Sequence, residues 1–197
     1  MIPPIHNPRT PEAEVDAIFV DRWSPRAFLP DPLTLAEIRT LFEAARWAPS
    51  ASNEQPWLFV YATSPEDKAR FASALDDWNQ RWAPKAPLLG YILVRLHTAK
   101  GRPNRTAYFD TGSAWMSLAL QARRLGMYAH GMGGFVREKA IEVLGVPADR
   151  YDVIAAFVVG RHGDPSTLPA DLAEREMPNT RKPASEVAAE GGFPAGA

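Results

Sequence analysis

The chain has 197 residues, 46% of them hydrophobic, enough for one domain with a real core. Its 22 Lys and Arg stand against 23 Asp and Glu, a net charge of -1, so nothing in the balance asks for nucleic acid or an anionic membrane. There are no cysteines, which excludes a disulfide framework and a thiolate metal site and fits a reducing compartment.

The opening MIPPIHNPRTPEAEV carries no apolar signal-peptide core. The longest apolar run, 87–94, is too short to span a bilayer. A soluble cytoplasmic protein is expected. Thr10-Pro11-Glu12 reads as an N-cap with proline at N1 and predicts a helix to about Arg22. Val15, Ile18 and Phe19 would be its buried stripe. RWSPRAFLPDPL is a proline-punctuated loop. Thr34 and Glu37 form a capping box for the next helix, whose apolar face is Leu35, Ile38, Leu41, Phe42 and Ala45. WLFVYAT (57–63) reads as a strand, and Ser64-Pro65-Glu66 caps a third helix. PLLGYILVRL (87–96) is a nearly all-apolar strand, so both its faces should be covered. The helix from Asp110 to Leu125 is apolar almost all round and should be central, with Gly126 as its C′ residue. A short strand leads into HGMGGF, a helix spans Glu138–Leu144, and YDVIAAFVVG (151–160) is the third strong strand. Strands separated by helices imply a layered α/β or α+β domain. Residues 161–197 are rich in Pro, Ala and charge, with too little apolar surface to pack alone. Such a tail either wraps a partner subunit or is disordered.

No GxSxG, Walker A or HExxH motif is present, and the glycines at 131, 133 and 134 do not make GxGxxG. His6, His97, His130 and His162 are scattered without ligand spacing, so no metal is expected. Four loops have a common polar character instead. Arg22-Trp23-Ser24-Pro25-Arg26 puts two guanidinium forks and a hydroxyl on a stiffened loop, which suits a phosphate; the other reading is a solvated loop. In Pro49–Pro56 the two prolines should hold the chain extended. Ser50, Ala51 and Ser52 keep it thin, and Asn53 and Gln55 offer paired donors and acceptors to a flat heterocycle. Local Asx and Ser turns would explain the same residues. Gly131-Met132-Gly133-Gly134-Phe135 permits close backbone approach, or is a plain turn. Asn179-Thr180-Arg181-Lys182-Pro183 supplies more charge, or is a solvated basic patch.

Together these loops resemble the FMN-dependent nitroreductase family, in particular its short members. The resemblance runs from about Ile18 to Lys182. It rests on RWSPRAF, APSASNEQPW before a strand, Asn79-Gln80-Arg81-Trp82 with Ala86-Pro87, FDTGSAWMSLALQARRLGMYAHGMGGF, and the late TRKP. It implies an α+β, three-layer fold with a mixed, mainly antiparallel sheet between helices. It implies a core domain over 1–170 and a tail over 171–197 that crosses to the partner of an obligate homodimer, with FMN at the interface.

By that resemblance Arg22, Trp23, Ser24 and Arg26 lie near the flavin phosphate and pyrimidine. Pro49, Ser50, Ala51, Asn53 and Gln55 reach the flavin held mainly by the other subunit. Asn79 bonds the ring edge, Met132, Gly133 and Gly134 approach N5 and O4, and Arg181, with Lys182, contacts the phosphate. Trp82 and Phe135 are candidates for the substrate pocket wall or for the core. Three positions depart from the family pattern. Asn179 stands where a second basic residue is common, which leaves Lys182 as the substitute. Val136 stands where an N-cap Asp is usual. Trp82 stands where some relatives carry Lys, which leaves Arg26 to supply the positive charge near N1 and O2. The implied activity is ping-pong hydride transfer from NADH or NADPH through FMN N5 to a nitroaromatic, quinone or similar small acceptor. The alternatives are specialised flavin chemistry (dehalogenation, flavin cleavage, azoline oxidation) and a flavin-binding protein with little turnover. No protein acid or base is implied.

Overall fold

A computed structural model of the chain describes residues 6–194; the expected 1–170 and 171–197 division runs past it at both ends. Four strands form one sheet in the order β1-β2-β4-β3: β1 (Trp57–Ala62), β2 (Leu88–Arg95), β3 (Tyr128–Met132) and β4 (Tyr151–Gly160). All three pairings are antiparallel. The expected mixed sheet therefore has no parallel pair among the described residues. A register shift at Ile92/Leu93 sets Leu93 opposite Val153 while Ile92 faces Ala155.

The sheet has a core on each face. Leu89, Tyr91 and Leu93 point to one side, with Phe71, Leu75, Trp82, Met132 and Val158. Leu88 and Ile92 point to the other, with Leu41, Leu118, Ala122, Phe157 and Val159. This alternation explains why β2 reads as an unbroken apolar run: period 2 is present, but both faces are dry. The helices α3 (Pro65–Ala72), α4 (Asp77–Gln80) and α6 (Arg137–Leu144) lie on the first side. The helices α2 (Leu35–Arg46) and α5 (Ala107–Arg124) lie on the second.

Local signals place most of these elements. Thr34 Oγ1 accepts from Glu37 N at 3.2 Å while the Glu37 carboxylate takes the Thr34 amide at 2.8 Å, so the capping box forms as expected. Ser64 caps α3 by accepting from Asp67 N at 3.1 Å. Gly126, just past α5, and Gly145, the C-cap of α6, are both left-handed, with φ of 72° and 65°. Val136 gives α6 no side-chain cap, as its apolar side chain requires.

Two helices differ from expectation. The first, α1, covers only Ala17–Asp21 and is capped by Asp16, not Thr10. Val15 and Phe19 are exposed in the single chain and Ile18 is only half-buried, so most of the expected stripe stays uncovered. A capping signal alone does not sustain a helix whose apolar face stays wet. In α5 the buried face is Ala107, Ala114, Leu118 and Ala122. The opposite face exposes Tyr108, Phe109 (79%) and Gly112, with Met116 and Leu120 half-buried. The helix is thus apolar all round but central on one side only.

Tail residues as far as Asn179 lie against their own chain. Leu172 in α7 (Ala170–Ala173) is buried, and Pro178 with it. Residues 179–194 are exposed throughout. Among the described residues no helix is long and apolar enough to cross a membrane.

Candidate functional site

The basic loop, residues 22–26, is shaped by buried polar contacts that sequence reading missed. His130, at the middle of β3, bonds through Nδ1 to Pro25 O at 2.7 Å. Burial pushes its pKa down to about 4, so the ring is neutral and Nδ1–H donates to the carbonyl. The same ring packs against Trp82, tilted by 31° with centroids 4.6 Å apart. From the tail, the Glu176 carboxylate accepts the backbone N–H of Arg26 and of Ala27, each at 2.7 Å. His162 Nε2 lies 3.4 Å from the same carboxylate. The loop therefore hangs between an imidazole below it and a buried carboxylate behind it.

Trp82 joins this loop to the glycine turn. Its Nε1–H donates to Asn79 Oδ1 at 3.2 Å, and Asn79 Nδ2–H donates to Gly134 O at 2.9 Å. The backbone N–H of Asp76 reaches the same carbonyl at 3.1 Å. A Cβ at Gly134 would sit 2.1 Å from Asp76 Oδ2 and 2.5 Å from Asn79 Nδ2, so only glycine fits. A Cβ at Gly133 would meet nothing within 4 Å. Gly133 thus turns its backbone to the open side while Gly134 locks the turn. Met132 is buried, and Phe135 is half-buried against Tyr91 at 5.6 Å. Trp82 is fully buried and offers no surface to a substrate, which corrects its candidacy as pocket wall. It is the floor under Arg26, whose guanidinium lies 6.0 Å over its ring.

Positive charge is concentrated beside this floor. Arg22 is half-buried; desolvation and then the Arg181 charge hold its pKa below the ordinary arginine value. Arg9 is lowered by desolvation, Arg181 and Arg22 in that order. No acidic side chain among the described residues forms an ion pair with Arg9, Arg22 or Arg181. The Nε of Arg26 is buried without a hydrogen-bond partner, and so is the Nε1 of Trp23. Cations gathered without acidic partners are what a phosphate would satisfy. The residues present therefore fit the phosphate of FMN, with the Arg26 guanidinium available to its pyrimidine. Lys182 takes no part here: it is exposed and sits 3.4 Å from Glu186.

The amide-bearing stretch stands apart. Between Pro49 and Pro56 the chain is turned, not extended. Ala51–Asn53 is a 3-10 turn, and Ser52, Asn53 and Gln55 have φ of 52°, 56° and 45°. Prolines fix their own φ and bias one neighbour, and the residues between follow their hydrogen bonds. Gln55 N donates to Ser50 Oγ at 3.0 Å, and Ala51 N donates to the buried Asp110 carboxylate at 3.2 Å. Three non-glycine residues held in the left-handed region mark a strained, over-determined loop. It leads into β1, whereas the glycine turn leaves β3, and these are opposite edges of the sheet. Three strand spacings, about 14 Å, separate them. One chain thus brings together the 22–26 loop, Asn79, Met132–Gly134 and Arg181, and leaves 49–55 on its far side.

The missed residues are Arg9, Asp110, His130 and Glu176. His130 had one visible signal, its place three residues before Gly133. The others are remote in sequence from what they hold. A cavity of about 230 Å³ between Asp16, Ile18, Asp21, Arg123 and Arg124 lies outside this assembly.

Comparison with known proteins gives the family. The nitroreductase family model matches residues 20–90, which hold the basic loop, the strained loop and Asn79. Two relatives carry the name "Putative NADH dehydrogenase/NAD(P)H nitroreductase". The one from Rhodopseudomonas palustris (strain TIE-1) is 30% identical over 144 residues, 64% of this chain and 74% of that protein. The one from Streptomyces coelicolor is 29% identical over 148 residues, 65% of this chain and 73% of that protein. A crystal structure described as an oxidoreductase containing FMN is 47% identical, with a TM-score of 0.92, covering 96% of this chain and 98% of that one. A nitroreductase family protein from Clostridium novyi NT shares the fold at 20% identity and a TM-score of 0.67, over 84% of this chain and 92% of that one. With 30% identity to the Rhodopseudomonas palustris protein over 74% of its length, and the basic loop inside the matched segment, the chain belongs to the nitroreductase family.

Proposed function

We propose that the chain is an FMN-dependent NAD(P)H oxidoreductase acting as a cytoplasmic homodimer. The observation that carries this is the half-buried Arg22, set beside Arg181 with no acidic partner among the described residues. The FMN of the 47%-identical structure supports it.

When bound, FMN supplies two-electron transfer between a nicotinamide donor and an acceptor that use one face in turn. Arg22 and Arg181 hold the phosphate. Arg26, poised over Trp82, keeps positive charge beside the pyrimidine and favours electron uptake. Asn79 fixes the Gly134 carbonyl and so aims the turn, while Gly133 presents its backbone to the ligand. A nitroaromatic or quinone is the proposed acceptor class.

The dimer joins two halves. The strained loop 49–55 of one chain is brought to the 22–26 and 132–134 loops of its partner. Phe109, Gly112, Met116 and Leu120 recur at helical spacing on α5 and offer it an apolar seam. Residues 1–170 are the core domain and 171–197 the tail. The exposed part of the tail crosses to the partner and supplies the missing parallel component of the sheet.

Two experiments test this. Purified Arg22→Ala protein should lose FMN while Arg181→Ala only weakens it; equal flavin content in both refutes the assignment. An anaerobic visible spectrum should bleach with NADH or NADPH and recover with a quinone or nitroarene. Flavin that never bleaches sinks the oxidoreductase reading and favours a binding protein.

A further inference from the structure

The family pattern has a second basic residue where this chain has Asn179, and Lys182 is turned to Glu186. The structure supplies a different cation. We propose that Arg9, from the N-terminal segment, completes the anion site begun by Arg22 and Arg181, with Asn179 as the neutral bracket that sets Arg9 and Arg181 side by side. The proposal rests on the FMN reading above, and the anion it names is the flavin phosphate.

Four contacts fix Arg9. Its Nε donates to Asn179 O at 2.7 Å and its Nη2 to Asn179 Oδ1 at 2.9 Å. Its Nη1 donates to Arg22 O at 2.7 Å and to Val20 O at 2.9 Å. Every acceptor is a neutral oxygen, so the guanidinium keeps its full charge, and one N–H on Nη2 remains for a ligand. Asn179 Oδ1 accepts from Arg181 Nη1 as well, also at 2.9 Å. One amide oxygen thus brackets two guanidiniums. Asn7 supports the arrangement: its Oδ1 accepts from Arg9 N at 3.2 Å and its Nδ2 donates to Val20 O at 3.2 Å.

The identity of residue 179 decides the charge of the site. Lysine there would repel both guanidiniums and remove their shared acceptor. Aspartate would hold them better and cancel one charge. Asparagine alone among the three holds them together with the charge left intact for a dianion. This accounts for the departure at 179: the basic residue has not been lost but is supplied from the other end of the chain.

The test is binding of FMN and of riboflavin, which lacks the phosphate, to apoprotein by fluorescence quenching. Wild type should prefer FMN. Arg9→Met should weaken FMN roughly tenfold to a hundredfold, the range for a charge-assisted contact, and leave riboflavin unchanged. Arg9→Lys should recover part of the loss. Asn179→Asp keeps the shape of the site, so it remains informative if Arg9→Met does not fold. It should raise the melting temperature of the apoprotein while lowering FMN affinity by at least about tenfold. Full FMN preference in both Arg9→Met and Asn179→Asp overturns the proposal and leaves the flavin reading standing. Wild type that takes up neither flavin overturns the flavin reading itself.

Discussion

Acid should destabilise this protein through one histidine. His130 is buried between Pro25 O and the Trp82 ring, and its pKa is pushed from 6.5 down to about 4. A histidine with a lowered folded value binds fewer protons folded than unfolded. Its contribution is therefore fully present above the unfolded value of 6.5 and is lost as pH falls towards 4. At about 1.4 kcal/mol per pKa unit the whole effect is about 3 kcal/mol. At pH about 4.5 roughly 2.5 kcal/mol of it is gone. Carboxylates also titrate there, so the measurement is a difference. Urea unfolding of wild type and His130→Asn at pH about 7 and about 4.5 gives each protein's loss. Asparagine retains a donor near Nδ1 but carries no proton to titrate. It should be the less stable protein at neutral pH, having lost the ring contact with Trp82, but the less acid-sensitive one by roughly 2.5 kcal/mol. Equal losses in the two proteins would refute the argument, since His130 would then titrate alike folded and unfolded.

Two further substitutions test the local accounting. Val136→Asp should raise stability by about 1 kcal/mol, seen as a higher melting temperature, because the N-cap of α6 has extended backbone and no side-chain bond. Gly134→Ala should cost roughly 1–3 kcal/mol by thermal unfolding, since its methyl meets Asp76 and Asn79. Gly133→Ala, with open space around it, should leave stability unchanged. Equal effects at the two glycines would show that Gly134 is not sterically locked.

The elements set by local chemistry were legible. Thr34 with Glu37, Ser64 with Asp67, and the alternation along β2 each act over a few residues, and each element formed where it was read. The α1 helix is shorter than Thr10-Pro11-Glu12 predicts because that start signal has no burial behind it. The 49–56 loop departs from the extended course its prolines predict because it follows Asp110, more than fifty residues away. The site divides in the same way. Loops rich in Arg, Gly and amides advertise themselves. The groups that hold them in shape do not, since a bond such as His130 to Pro25 leaves no periodicity and no spacing. Trp82 reads from sequence as pocket wall or core, and its full burial against His130 decides for the core.

The contacts of Glu176 also set an order of events. The amides of Arg26 and Ala27 are made early in synthesis, and the carboxylate that captures them follows 150 and 149 residues later. Arg9 waits longer still, for Asn179 at a separation of 170. Translation proceeds at about 5–20 residues per second, so the loop spends roughly ten seconds or more tethered to the ribosome before its last restraint exists. The 22–26 loop is thus among the last segments to acquire its shape, although it is made well before its restraints. Until residues 176–181 have emerged, a nascent chain displays Arg9 and Arg22 without the contacts that gather them.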